Sequence, residues 1–227
     1  MMAERSLFSG RMESLSSFPT IPDPPQLTEA DRGWFGKLAV GALRRHFDLG
    51  EPGMTQPSPP HDGAVNFCPC GVFISLSSGG KLRGCLGSLG GSEPLSDSMP
   101  RLAVEAATRD LRFPPLGCKD LMALEIEITL LGGLVRLPQD PELILRALEP
   151  QVHGIRLLSP LRSGLLLPQV ARRHGWGTLD LLQQVSRKAR MGPEAWRLPS
   201  TELHAFRAAS FGLSLSSSGR GEEGSTA

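Results

Sequence analysis

Two short apolar runs separated by Ser78-Gly79-Gly80 constrain this chain's fold more than any other feature. Gly71-Val72-Phe73-Ile74-Ser75-Leu76 is rich in the branched and aromatic residues that strands favour. The glycine pair accepts the positive φ angles of a tight hairpin turn, so a returning strand is predicted from Lys81 to about Leu86. Strands joined this tightly are antiparallel neighbours. A doubly wound parallel sheet is therefore disfavoured. The expected class is α+β: a mixed sheet containing this hairpin, with helices packed on it.

The other segments extend the same plan. Leu124, Ile126, Ile128 and Leu130 alternate with Glu125, Glu127 and Thr129, which marks a half-buried strand. Thr28 and Asp31 form an Asp variant of the capping box. Phe35, Ala39, Leu43 and Phe47 follow at i+4 spacing and predict a helix over about 29–47, weakened locally by Gly36 and Gly41. A second helix is predicted over 95–109, stopping before Phe113-Pro114-Pro115. Asp140-Pro141 opens a short helix to about Leu148. Strands are predicted over 153–158 and 164–167 around the Ser159-Pro160 turn. A short helix runs to about His174, Thr178 caps another, and Leu203 to Phe211 reads as a closing strand. The Ser-, Pro- and Gly-rich ends, 1–27 and 213–227, are expected to be disordered tails flanking one domain over 28–212.

Composition excludes several function classes. Twenty-four Lys and Arg balance 23 Asp and Glu, so no strong field draws in nucleic acid or an anionic membrane. No apolar run approaches the roughly 20 residues of a membrane helix, and the N-terminus lacks the apolar stretch of a secretory signal. Four cysteines, Cys68, Cys70, Cys85 and Cys118, are too sparse for a disulfide scaffold, so reduced thiols and a cytoplasmic location are expected. Cys68-Pro69-Cys70 lacks the spacing of a zinc site. No GxGxxG follows a strand and no GxxxxGK[ST] is present, so neither cofactor nor metal is expected.

Candidate chemistry centres on Leu82-Arg83-Gly84-Cys85-Leu86-Gly87. Cys85 is a candidate nucleophile, with the charge of Arg83 two residues before it; the alternative is a small buried residue in a tight strand. Gly84 and Gly87 permit positive φ or a close approach of ligand to backbone. His153, before Gly154 at a strand start, is a candidate general base, or else a hydrogen-bonded structural histidine. Glu127 is a candidate acid–base group and Glu125 shares its strand face; ordinary alternation would leave both solvated. Arg112 suits bidentate binding of a substrate anion and equally suits a loop-anchoring ion pair. Two functions follow. One is an enzyme using Cys85 on a small molecule; the other is a non-catalytic module that binds or docks through the Arg83–Cys85 and Arg112 loops.

The ordered set of motifs resembles the AMMECR-type domain family, component A of the AmmeMemoRadiSam system. The runs that carry the resemblance are Leu82 to Gly87, Arg112-Phe113-Pro114-Pro115-Leu116, Leu124 to Ile128 and Val152-His153-Gly154-Ile155. Leu165 to Ala171, Gly175-Trp176 and Gly192-Pro193-Glu194-Ala195-Trp196 complete it, over about residues 30 to 212. Gly177, Arg172-Arg173-His174 and Leu111 depart from the family's usual residues. The resemblance implies an α+β fold with a larger and a smaller lobe and a cleft between them. It also implies a Memo-like protein and a radical-SAM protein as partners. It names no reaction.

Overall fold

The computed structural model describes residues 18–49, 56–61, 66, 71–90 and 93–214. The Cys68-Pro69-Cys70 pair and the segments 1–17 and 215–227 lie outside the described residues. The fold is α+β, as expected. The chain divides into two compact units. The thiol unit comprises Pro25–Leu130 with Ala209–Ala227, and the histidine unit comprises Met1–Pro24 with Leu131–Ala208. Among the described residues, no helix is long and apolar enough to cross a membrane.

In the thiol unit, helix α1 spans Glu29–His46, β1 Gly71–Ser78, β2 Lys81–Leu89, α2 Leu95–Thr108 and β3 Leu124–Leu131. The hairpin is as predicted: Gly79 and Gly80 have φ of 55° and 73°, and Ser78 pairs with Lys81. β1 pairs antiparallel with β2 on one side and β3 on the other. Val72, Ile74, Leu76, Ile126, Ile128 and Leu130 are buried with Phe35, Leu38, Met99 and Leu102 of the two helices, so the helices cover one sheet face. The Thr28 capping box forms, with the Thr28 N–H donating to Asp31 at 3.0 Å. Gly36, expected only to weaken α1, makes room for Leu213: a Cβ there would come within 2.6 Å of that side chain. Composition assigns Leu213 to a disordered tail; the closing strand in fact continues to Ser214.

The histidine unit holds β4 (Val135–Arg136), α3 (Pro141–Ala147), β5 (His153–Leu158), β6 (Ser163–Leu166), α4 (Pro168–His174), α5 (Thr178–Lys188) and most of β7 (Glu202–Ser214). β7 pairs antiparallel with β4 and β5, and β5 with β6. Ile155, Leu157, Leu166 and Ala205 meet Ile144, Leu181, Val185 and Trp196 in a second core. Ile21, placed in the N-terminal tail by composition, is buried in this core with Phe18 against it. Packing therefore reaches N-terminal to residue 28, contrary to the prediction, because Gly132 and Gly133 leave space that Pro22 and Asp23 fill. The cap of α5 is also corrected. Gly177, not Thr178, is the N-cap; its N–H donates to Asp180 at 3.1 Å, while the Thr178 hydroxyl donates to the Leu148 carbonyl. Two-residue β4 and the short 3₁₀ turns Cys118–Ala123 and Ala195–Arg197 were not predicted, being too brief to show a period.

Candidate functional site

Cys85 lies on β2, and its backbone is held by a clamp that sequence reading missed. Asp110 and Arg112 leave the end of α2, where Pro114-Pro115 bars further helix. The Asp110 carboxylate accepts the Cys85 N–H at 2.8 Å, and Arg112 Nη2 donates to the Cys85 carbonyl at 2.9 Å. The two side chains pair with each other at 2.9 and 2.6 Å. Together they occupy both backbone groups that Cys85 turns away from β1, much as a neighbouring strand would. Asp110 is buried, and its carboxyl is held down to about 2, first by the hydrogen bonds from Arg112, then by the N–H groups of Cys85 and Arg112, against the cost of burial. Only the Asp-x-Arg spacing at the helix exit hinted at this. The guanidinium of Arg112 also lies over the Phe113 ring, 5.3 Å from its centre.

Because Cys85 points its amide and carbonyl outward, Ser75–Cys85 is a non-hydrogen-bonded pair, the kind with closely spaced side chains. The Ser75 hydroxyl donates to the Cys85 sulfur at 3.2 Å. Ser75 is also in register with Glu127 of β3. Cys85, Ser75 and Glu127 thus form one row across three strands on the face opposite α1 and α2, and all three are half-buried. Below it, the Ser77 hydroxyl donates to Glu125 at 3.2 Å. Above it, Thr129 and Ser210 share a hydroxyl hydrogen bond of 2.9 Å. Arg83, on the same face as Cys85, lies 3.5 Å from Asp120.

The glycines of the motif act by packing. Neither has a positive φ. A Cβ on Gly84 would overlap the Ala106 carbonyl oxygen of α2, and one on Gly87 would overlap the Phe73 ring. Gly84 therefore brings helix backbone, not ligand, against the strand.

His153 lies in the histidine unit, buried at the start of β5. Its Nδ1 accepts the Glu149 N–H at 3.1 Å, so the imidazole carries its proton on Nε2. Burial, and then the nearby charge of Arg207, push its pKa below the ordinary value, against a smaller pull from Glu149. Six of the seven residues singled out from the sequence, Arg83, Gly84, Cys85, Gly87, Arg112 and Glu127, belong to the thiol unit; His153 does not.

A family model described as AMMECR1 matches residues 36–211. A protein of Methanosarcina acetivorans is 32% identical over 185 residues, covering 79% of this chain and 90% of the relative. One from Aeropyrum pernix is 35% identical over 145 residues, covering 62% of this chain and 63% of that protein. The crystal structure of uncharacterized protein PH0010 from Pyrococcus horikoshii superposes with a TM-score of 0.72 at 26% identity, covering 82% of this chain and 93% of that one.

Proposed function

The chain belongs to the AMMECR1 family, and on that premise we propose that it is an enzyme acting on a small molecule through Cys85. What supports this reading is the row Cys85–Ser75–Glu127, a half-buried thiol and a carboxylate on one open face of the sheet, both in register with a serine between them. The sulfur forms a bond to an electrophilic carbon of the substrate as the bond from that carbon to its leaving group breaks. The thiol proton passes by way of the intervening Ser75 hydroxyl to the Glu127 carboxylate, and the same carboxyl returns it to the leaving group; water then cleaves the sulfur–carbon bond and restores the thiol. Asp110 and Arg112 are positioning residues that hold the Cys85 backbone. The guanidinium that interacts with Cys85 is that of Arg112; Arg83 pairs with Asp120. His153 has no step here, since its Nδ1 already accepts an amide. In this reading the protein works in the cytoplasm, in one pathway with a Memo-like and a radical-SAM protein.

Thiol labelling of the intact protein tests it. Iodoacetamide is expected to modify Cys85 in the folded state, faster than any rate of global unfolding allows, read on the Cys85 peptide by mass spectrometry in a Cys118→Ser background because Cys118 is exposed, with that label lost in Cys85→Ser. Glu127→Gln should slow turnover of any identified substrate while leaving the fold intact. If Cys85 reacts only as the protein unfolds, the thiol chemistry fails and the same face is left as a binding surface.

A further inference from the structure

The histidine unit carries an open groove of about 730 Å³ that the thiol chemistry does not use. It lies between the β5–β6 turn and the segment after α5. Its apolar lining includes Pro160, Leu161, Met191, Pro193 and Leu198. Leu161 is 95% exposed and Leu198 46%, so the groove presents apolar side chains to solvent. Arg162 and Arg190 also line the groove, and Arg162 Nη1 donates to the Arg190 carbonyl. The one carboxylate in the lining, Glu194, is engaged on both oxygens, by Gln183 at 2.8 Å and Arg197 at 2.9 Å. The charge left over in the groove is positive.

Arg190 is also in an unusual place. It follows the C-cap of α5 with φ of 57°, and Met191 N–H closes the turn onto Ser186. Helix α4 ends in the same way, with Trp176 N–H bonded to Ala171, but there the left-handed residue is Gly175, φ 65°. Glycine is the residue this turn prefers, because an ordinary side chain is strained there. Asp48 takes the same position after α1, with φ of 55° and Leu49 N–H on Arg44, so the turn accepts a side chain at that cost; Arg190 differs in that it lines the groove.

We infer that this groove binds a small amphipathic anion, an apolar chain or ring ending in a carboxylate, with the apolar body against Leu161 and Leu198 and the carboxylate on Arg190 and Arg162. Its volume is that of an ordinary small-molecule site, and guanidinium–carboxylate pairing provides the polar anchor.

The test uses the full chain with anilinonaphthalene sulfonate as the fluorescent probe and decanoate and decanol as competitors. One saturable site is expected, from which decanoate displaces the probe and decanol does so far less well. Arg190→Gly should bind decanoate about tenfold more weakly while keeping an equal or higher thermal midpoint, an outcome a purely structural arginine would not produce. Leu161→Asp should weaken both the probe and decanoate, and Cys85→Ser should change neither. The inference is overturned by an Arg190→Gly variant of full affinity, or by decanol competing as well as decanoate. A concentration-dependent dimer lost in Leu161→Asp, with no decanoate competition, overturns it as well. Loss of binding in Cys85→Ser would move the ligand to the thiol unit and also overturn it.

Discussion

The two units use the same two packing devices. In the thiol unit, Gly84 admits the backbone of α2; in the histidine unit, Gly164 admits that of α5, where a Cβ would come within 2.7 Å of the Val185 oxygen. In each unit a phenylalanine ring lies over the glycine paired with it across the strands, Phe73 over Gly87 and Phe206 over Gly154. They differ in how charge is placed. The thiol unit buries a carboxylate, Asp110, to clamp the strand that carries Cys85. The histidine unit buries a neutral imidazole, while its ion pairs, Arg136–Glu202 among them, stay at the surface. A shared scaffold thus leaves the chemistry to a few polar side chains.

The glycine parallel breaks first if the contacts are not equally tight. Gly84→Ala forces a Cβ onto a carbonyl oxygen and is expected to cost about 3 kcal/mol or more, against about 1–2 kcal/mol for Gly164→Ala, as overpacking does. Urea unfolding of both variants checks this, and equal costs would erase the difference in tightness. The charge contrast comes next. Asp110→Asn should cost about 2 kcal/mol, because it strips a charged partner from a buried site. Arg136→Ala, at a pair with side chains 60% and 44% exposed, should cost less than about 1 kcal/mol.

Acid should separate the units in pH. Asp110's carboxyl is lower in the fold than in the unfolded chain. Its contribution is full above the ordinary value of 3.8 and is lost as pH falls toward about 2. His153 is also lower in the fold, so below its ordinary 6.5 the unfolded chain binds the extra proton first. Stability that depends on the histidine unit should therefore begin to fall below pH 6.5, well before the Asp110 loss. His204 acts in the same direction: burial lowers it, Arg156 and Arg136 add to that, and Glu202 opposes them. Imidazole NMR titration alongside thermal melts would show it, and a His153 that titrates normally would remove the contrast. The smallest effect is expected from Ser75→Ala, about 1 kcal/mol or less in stability. It should nonetheless alter the labelling rate of Cys85, since it removes the hydrogen bond to sulfur.

Elements with a clear period or turn signal were legible before the structure. The hairpin at Gly79-Gly80, the alternating strand from Leu124 and the Thr28 cap all stand where the residues place them, because their signals are local. The ends of the chain were misjudged. Composition assigns Ile21 and Leu213 to tails, yet Leu213 packs where Gly36 leaves space, and Ile21 joins the second core beside the Pro22-Asp23 segment that Gly132 and Gly133 admit. The site was legible as a set of residues but not as a geometry. Nothing in the spacing of Asp110 and Cys85, or of Ser75, Cys85 and Glu127, shows that they meet.

Local chemistry in the chain was enough to settle the class of fold, the hairpin and the motif around Cys85. Turn geometry, strand alternation and helix capping each act within a few residues, so they can be read without coordinates. The roles of Gly84, Gly87 and Arg112 depended on partners 22, 14 and 27 positions away, at Ala106, Phe73 and Cys85. Strand register and helix packing create those neighbours, and only the folded chain contains them. The same holds for the groove beside Arg190, whose walls come from the β5–β6 turn and the segment after α5.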